Sequence, residues 1–306
     1  MHHVATNATR GLLAVAGLSL LFAAPSVART TPAAKKVDIA FAAVAGDTPV
    51  ACGTAITGLG TTGQAAQLKD LRFYVSDVTL TRADGRSVPL KLEKNSTFRL
   101  TRGKSAVTLI DLENGTGACA EDGTKATNAH LRGTVPAGKY TGVRWTVGVP
   151  STLNHTDLAA APAPLNLTAM GWSWQVGRKF LKIETADPTF MVHVGSTGCT
   201  GNPAKAGDMK CTSSNRAGVR FKKFDLARQR VAVDVKALLA GTDLGGGMSM
   251  RAMDMGGMDM GAACMSGPGE MNCGPVFGAL GLAWNDTSGG GSASPSKQTV
   301  FRTITR

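Results

Sequence analysis

The sequence predicts an all-β domain, a sandwich or barrel-like body with long disulfide-stapled loops, and three observations carry that prediction. Short segments alternate apolar and polar residues with a period of two, as in Leu71, Phe73 and Val75 against Arg72, Tyr74 and Ser76. Gly, Pro and Asn turns separate these segments at short intervals. All six cysteines lie beyond an amino-terminal stretch that reads as an export signal.

The signal is assigned to residues 1–28. A short n-region ends at Arg10, an apolar run covers Gly11 to Ala24, and Ser26-Val27-Ala28 forms a small-x-small cleavage site. That leaves residues 29–306 as one β domain, expected in the periplasm or outside the cell. Candidate strands follow at Val37–Ala43, Leu71–Val75, Thr97–Arg102, Tyr140–Val149 and Lys179–Glu184. Others are Thr189–Val194, Val219–Asp225, Val231–Val235 and Thr299–Thr305. Only Ala232–Leu239 has helical character, one turn after a strand. Two stretches break the strand pattern: a Met-rich loop at 245–273 and a flexible Gly/Ser loop at 288–296.

The net charge of +12 raises nucleic acid as a partner, but the basic residues are scattered and aromatics make up only 5% of the chain, so that reading is set aside. No nucleophile elbow, Walker A loop, H-E-x-x-H helix or haem-attachment motif is present, and no enzyme is expected. An even number of cysteines in an exported chain favours disulfides, and no Cys-x-x-Cys pair suggests zinc. The short separations favour Cys199 with Cys211 and Cys264 with Cys273, which leaves Cys52 for Cys119.

Eight of the twelve methionines lie between Met248 and Met271. Met248, Met250, Met253, Met255, Met258 and Met260 have Gly and Asp neighbours and no strand or helix period, so they cannot share one core face. Thioethers are soft ligands that select Cu(I), and these six are secondary Cu(I) contacts in this reading. Strand alternation puts Met191 and His193 on one face, with Phe190, Val192 and Val194 on the other. Trp172 and Trp174 would share a face if extended, with Met170 as a further thioether beside them. His155 sits in a polar turn after Gly148-Val149-Pro150, and His130 receives no role.

Together these pieces resemble the metallo-mystery pair four-Cys family, the MbnP-like copper-binding proteins. The resemblance runs through Cys52-Gly53, Leu71-Arg72-Phe73-Tyr74-Val75-Ser76-Asp77-Val78, Gly148-Val149-Pro150 with Asn154-His155, and Trp172-Ser173-Trp174-Gln175. It continues through Lys179-Phe180-Leu181-Lys182-Ile183-Glu184, His193-Val194-Gly195-Ser196-Thr197-Gly198-Cys199 and the Met-rich tail with Cys264 and Cys273. It implies a periplasmic protein that binds copper through His155 and His193, and Met191 and Met170 are the candidate thioether ligands read from the sequence beside them. It also implies that Trp172 or Trp174 is oxidised to kynurenine by a di-haem partner of the MauG or cytochrome c peroxidase type. An outer-membrane copper or chalkophore import system is a second expected partner. Arg178 departs from the family pattern, which has an aromatic residue before Lys-Phe. The competing readings are a copper-dependent redox enzyme and a metal-free structural β-sandwich.

Overall fold

Two sheets packed face to face follow from the alternating pattern, since each needs to bury one apolar face. The computed structural model describes residues 1–2, 33–173, 176–205, 207–245, 262–285, 287, 289–290 and 297–306. The expected signal and the six methionines from Met248 to Met260 therefore lie outside the described residues, apart from Met1 and His2. Ala33–Arg306 forms one body, to which all of the following elements belong.

The chain begins with β1 (Ala34–Ala45), β2 (Thr48–Pro49), β3 (Ala55–Leu59), β4 (Gln64–Arg82), β5 (Ser87–Pro89), β6 (Lys91–Leu92), β7 (Arg99–Arg102) and β8 (Ser105–Asp111). Next come β9 (His130–Pro136), β10 (Tyr140–Val147), the short helix α1 (Ser151–Asn154), β11 (Leu181–Ala186) and β12 (Phe190–Val194). It ends with β13 (Thr197–Thr200), β14 (Lys210–Ser213), β15 (Ala217–Phe221), β16 (Gln229–Asp234), α2 (Val235–Leu239), β17 (Ala262–Cys264), α3 (Cys273–Ala279) and β18 (Phe301–Thr305).

The first sheet has the order β18-β16-β1-β9-β6, with β2 added to β1. The second follows β15-β10-β4-β11-β12-β17 and is organised around the 19-residue β4. One edge of β4 takes β3, β8 and β5 in turn, and the other takes β11 and then β10. β13 and β14 form a separate hairpin. The expected helical turn is α2, and its cap is chemically clear: the Asp234 side chain accepts the Ala237 N–H. The strand expected at Val219–Asp225 is shifted to β15, because the chain turns at Lys222 and Lys223.

The main core lies between the sheets. Phe41 of β1, Phe73 of β4, Trp145 of β10 and Phe301 of β18 meet edge to face, with centroids 5.5–6.1 Å apart. A second apolar cluster covers part of the outer face of the larger sheet, with Tyr74, Val149, Leu153, Leu165, Met170 and Phe180 buried in it. The three disulfides join Cys52 to Cys119, Cys199 to Cys211 and Cys264 to Cys273, as the spacing predicts.

Candidate metal centre

On β12, the alternation read from the sequence is present: Phe190, Val192 and Val194 enter the main core, while Met191 and His193 face the other way. His193 is 3% exposed. Its backbone is fixed from the loop closed by the Cys264–Cys273 disulfide, where the Ser266 hydroxyl donates to the His193 carbonyl at 2.9 Å and accepts the Gly195 N–H at 3.2 Å. Asn215 holds the same segment, its amide donating to the Gly195 carbonyl at 2.8 Å.

The His193 ring lies 6.1 Å from the Trp172 ring, centroid to centroid, in an edge-on arrangement. A glycine at 195 makes this possible, because a Cβ there would stand 2.5 Å from Cζ3 of Trp172 and 2.9 Å from the Arg178 carbonyl oxygen. Trp172 does not continue as a strand towards Trp174. Gly177 N–H donates to the Ser173 carbonyl and Trp172 N–H to the Gly177 carbonyl, which turns the chain back on itself. Trp174 lies outside the described residues.

His155 follows α1 and is 8% exposed. Its Nε2 lies 3.3 Å from Asn154 Nδ2 and 3.4 Å from Sγ of Cys211. Asn154 Nδ2 is also 3.4 Å from the Ser196 hydroxyl. His155 thus reaches, through Asn154, the same Gly195-Ser196 segment on which Trp172 rests. Among the described residues, the clusters of at least three close-set His, Cys, Asp and Glu donor atoms are each built on a disulfide, and none includes His193. Met191 stands beside Glu184 in the strand register. Met170 is 0% exposed within the second apolar cluster, where it packs against carbon as core filler. His130 pairs with Asp38 at the far end of the fold's smaller sheet, Nδ1 to Oδ1 2.7 Å.

Several residues around these side chains are invisible to a motif search. Arg178 is 1% exposed and serves as a clamp. Its guanidinium donates to the carbonyls of Asn154 at 2.7 Å and of Leu165 at 2.8 and 3.0 Å, and also to that of Thr156, so it grips both sides of His155. Asp70, Arg72, Lys182 and Glu184 extend away from His193 as a buried charged layer. The signal for them was opposite charges two residues apart in two neighbouring strands, a pattern that alternation alone assigns to a solvated face.

Burial alone would raise the Glu184 carboxyl, but the His193 hydrogen bond and the Lys182 charge outweigh it and hold the group down at about 2. His193 is shifted down, chiefly by burial, with Lys179 and Lys182 acting the same way and Glu184 opposing them. A neutral imidazole beside an ionised carboxylate results. That is the protonation state in which an imidazole can ligate a metal.

The family model described as MbnP matches residues 34–256. The chain is similar to the solved structure of MbnP from Methylosinus trichosporium, with a TM-score of 0.74 and 31% sequence identity over 89% of this chain and 99% of that one. No curated protein sequence matches it. The family model covers well over half of the sequence and the solved relative is matched along nearly its whole length, so the chain belongs to the MbnP family.

Proposed function

We propose that this protein binds copper in an exported compartment, at a site built on His193, Trp172 and His155, and does not turn over a substrate. The observation that carries the reading is the Nδ1 atom of His193, buried beside the Trp172 ring without a hydrogen-bond partner among the described residues. An orphaned buried nitrogen is costly unless something else satisfies it. A soft or borderline metal ion fits that role. Trp172 is the candidate for oxidation to kynurenine by a di-haem partner of the MauG type, since opening the indole ring would place an aryl amine and a ketone next to His193. Trp174 is the second candidate.

Three disulfides favour an oxidising compartment, in keeping with the export signal. Met191, on the same face as His193, is a further thioether in reach of the strand. The methionines from Met248 to Met260 serve as a weaker, reversible Cu(I) contact, because fixing a Gly-rich segment costs about 1–2 kcal/mol per residue. An outer-membrane copper or chalkophore import system is the expected supplier or recipient.

The test is the copper content of the chain produced with and without the di-haem protein, combined with mass mapping of the Trp172 peptide. One equivalent of copper is expected only with the partner, and it should be lost in His155→Ala, His193→Ala and Trp172→Phe. Full copper occupancy in both histidine variants would reject the assignment.

A further inference from the structure

The outer face of the larger sheet carries charges where packing alone calls for apolar side chains. Strand register places Lys182 opposite both Arg72 and His193, and Glu184 opposite both Asp70 and Met191. The side chains of Asp70, Arg72, Lys182, Glu184 and His193 are between 0% and 6% exposed. Arg72 Nε donates to Asp70 Oδ1 at 2.8 Å, and Lys182 Nζ lies 2.6 Å from Asp70 Oδ2 and 3.2 Å from Glu184 Oε1. Glu184 Oε1 in turn lies 2.6 Å from Nε2 of His193. Buried ion pairs seldom stabilise more than apolar side chains of the same volume. Sheet stability therefore does not account for this row, which ends on the imidazole at one side and, at the other, on Arg72, whose Nη1 likewise meets no hydrogen-bond partner among the described residues.

At the imidazole end the geometry is asymmetric. The carboxylate can only accept, so Nε2 donates its proton to Glu184, while Nδ1 is buried and meets no hydrogen-bond partner among the described residues. Lys182, held by Asp70, stands behind the carboxylate and prevents it from swinging away. Ser266 fixes the His193 backbone from which the ring projects. Histidines that ligate metals commonly donate their other ring N–H to a carboxylate, which fixes both tautomer and orientation.

We propose that Glu184, backed by Lys182 and Asp70, is a positioning residue that locks His193 with its proton on Nε2 and its lone pair on Nδ1, making Nδ1 the donor atom for the metal. The metal half rests on the copper reading above. The tautomer half does not.

Long-range proton–nitrogen NMR on the full chain, labelled with 15N-histidine and assigned by the signal lost in His193→Gln, separates the two. Without metal, the expected result is a protonated Nε2 and an unprotonated Nδ1 at His193; a proton on Nδ1 overturns the proposal. On chain produced with the di-haem partner, one equivalent of Cu(I) should then move the Nδ1 resonance. A shift at Nε2 instead overturns the proposal and leaves the copper reading standing, whereas no shift at either nitrogen removes both. Glu184→Gln, whose amide can donate as well as accept, should give mixed tautomers and a Cu(I) affinity roughly 10–100-fold weaker. An unchanged tautomer and affinity in a folded Glu184→Gln chain would also overturn it, and if that variant does not fold, the wild-type spectra decide alone.

Discussion

Arg178 stands where the sequence resemblance leads one to expect an aromatic side chain, and it makes hydrogen bonds there instead of ring contacts. The carbonyls of Asn154, Thr156 and Leu165 all turn inward to meet its guanidinium, and His155 sits between the first two. Replacing it with Met keeps the stem and leaves three acceptors without donors, at about 1–3 kcal/mol each. Arg178→Met is expected to lower unfolding stability by about 3 kcal/mol or more in a denaturant titration. Arg178→Lys should recover only part of the loss, because an ammonium lacks the planar fork that reaches both Leu165 and Asn154. A loss below about 0.5 kcal/mol for Arg178→Met, within the range of ordinary surface substitutions, would mean that water already satisfies those carbonyls.

Among the elements, the disulfides do different work although each closes a loop. The Cys52–Cys119 bridge spans 67 residues, and chain entropy assigns it about 4 kcal/mol; Cys264–Cys273 spans nine and receives about 2–3 kcal/mol. The double replacement of Cys264 and Cys273 with Ala should therefore cost less in stability, yet disturb the His193 backbone more, because the loop it closes carries Ser266. Amide exchange at Gly195 checks this: faster exchange there is expected for that variant and not for removal of Cys52 and Cys119. The bridges, and most strands, were legible in the sequence because cysteine spacing and period-two alternation are local signals. β4 extends well beyond its legible Leu71–Val75 segment, since Asp70 and Arg72 look like solvent-facing residues until the opposing Lys182 and Glu184 are seen. The Trp172 loop was less legible for a different reason. A shared face for Trp172 and Trp174 presumes an extended chain; Trp174 lies outside the described residues, and Gly177, which donates to the Ser173 carbonyl, has a φ of +98° that suits a glycine.

For the molecule as a whole, the charged layer inside the larger sheet ties stability to pH. Asp111, opposite Arg72 in the register, is 1% exposed. Burial, together with the charges of Glu113 and Asp70, pushes its carboxyl up to about 8 against the pull of Arg72. An unfolded Asp loses its proton near pH 3.9. Between about pH 4 and 8 the folded state thus holds the extra proton, and stability falls as pH rises, by at most about 1.4 kcal/mol per unit. Asp111→Asn should flatten that slope in denaturant titrations at pH 5 and pH 8; equal slopes in the two chains would place the proton elsewhere. The long β4 has another consequence, in the order of events after synthesis. Its partners include β11, so that Gln67 waits for Ala186, and β12 docks between β11 and β17. Pairings at such sequence separation form slowly. Trp172 and His193 come together once those strands have closed, so the oxidation of Trp172 proposed above, if it needs the folded setting, would act on the finished protein and not on the emerging chain.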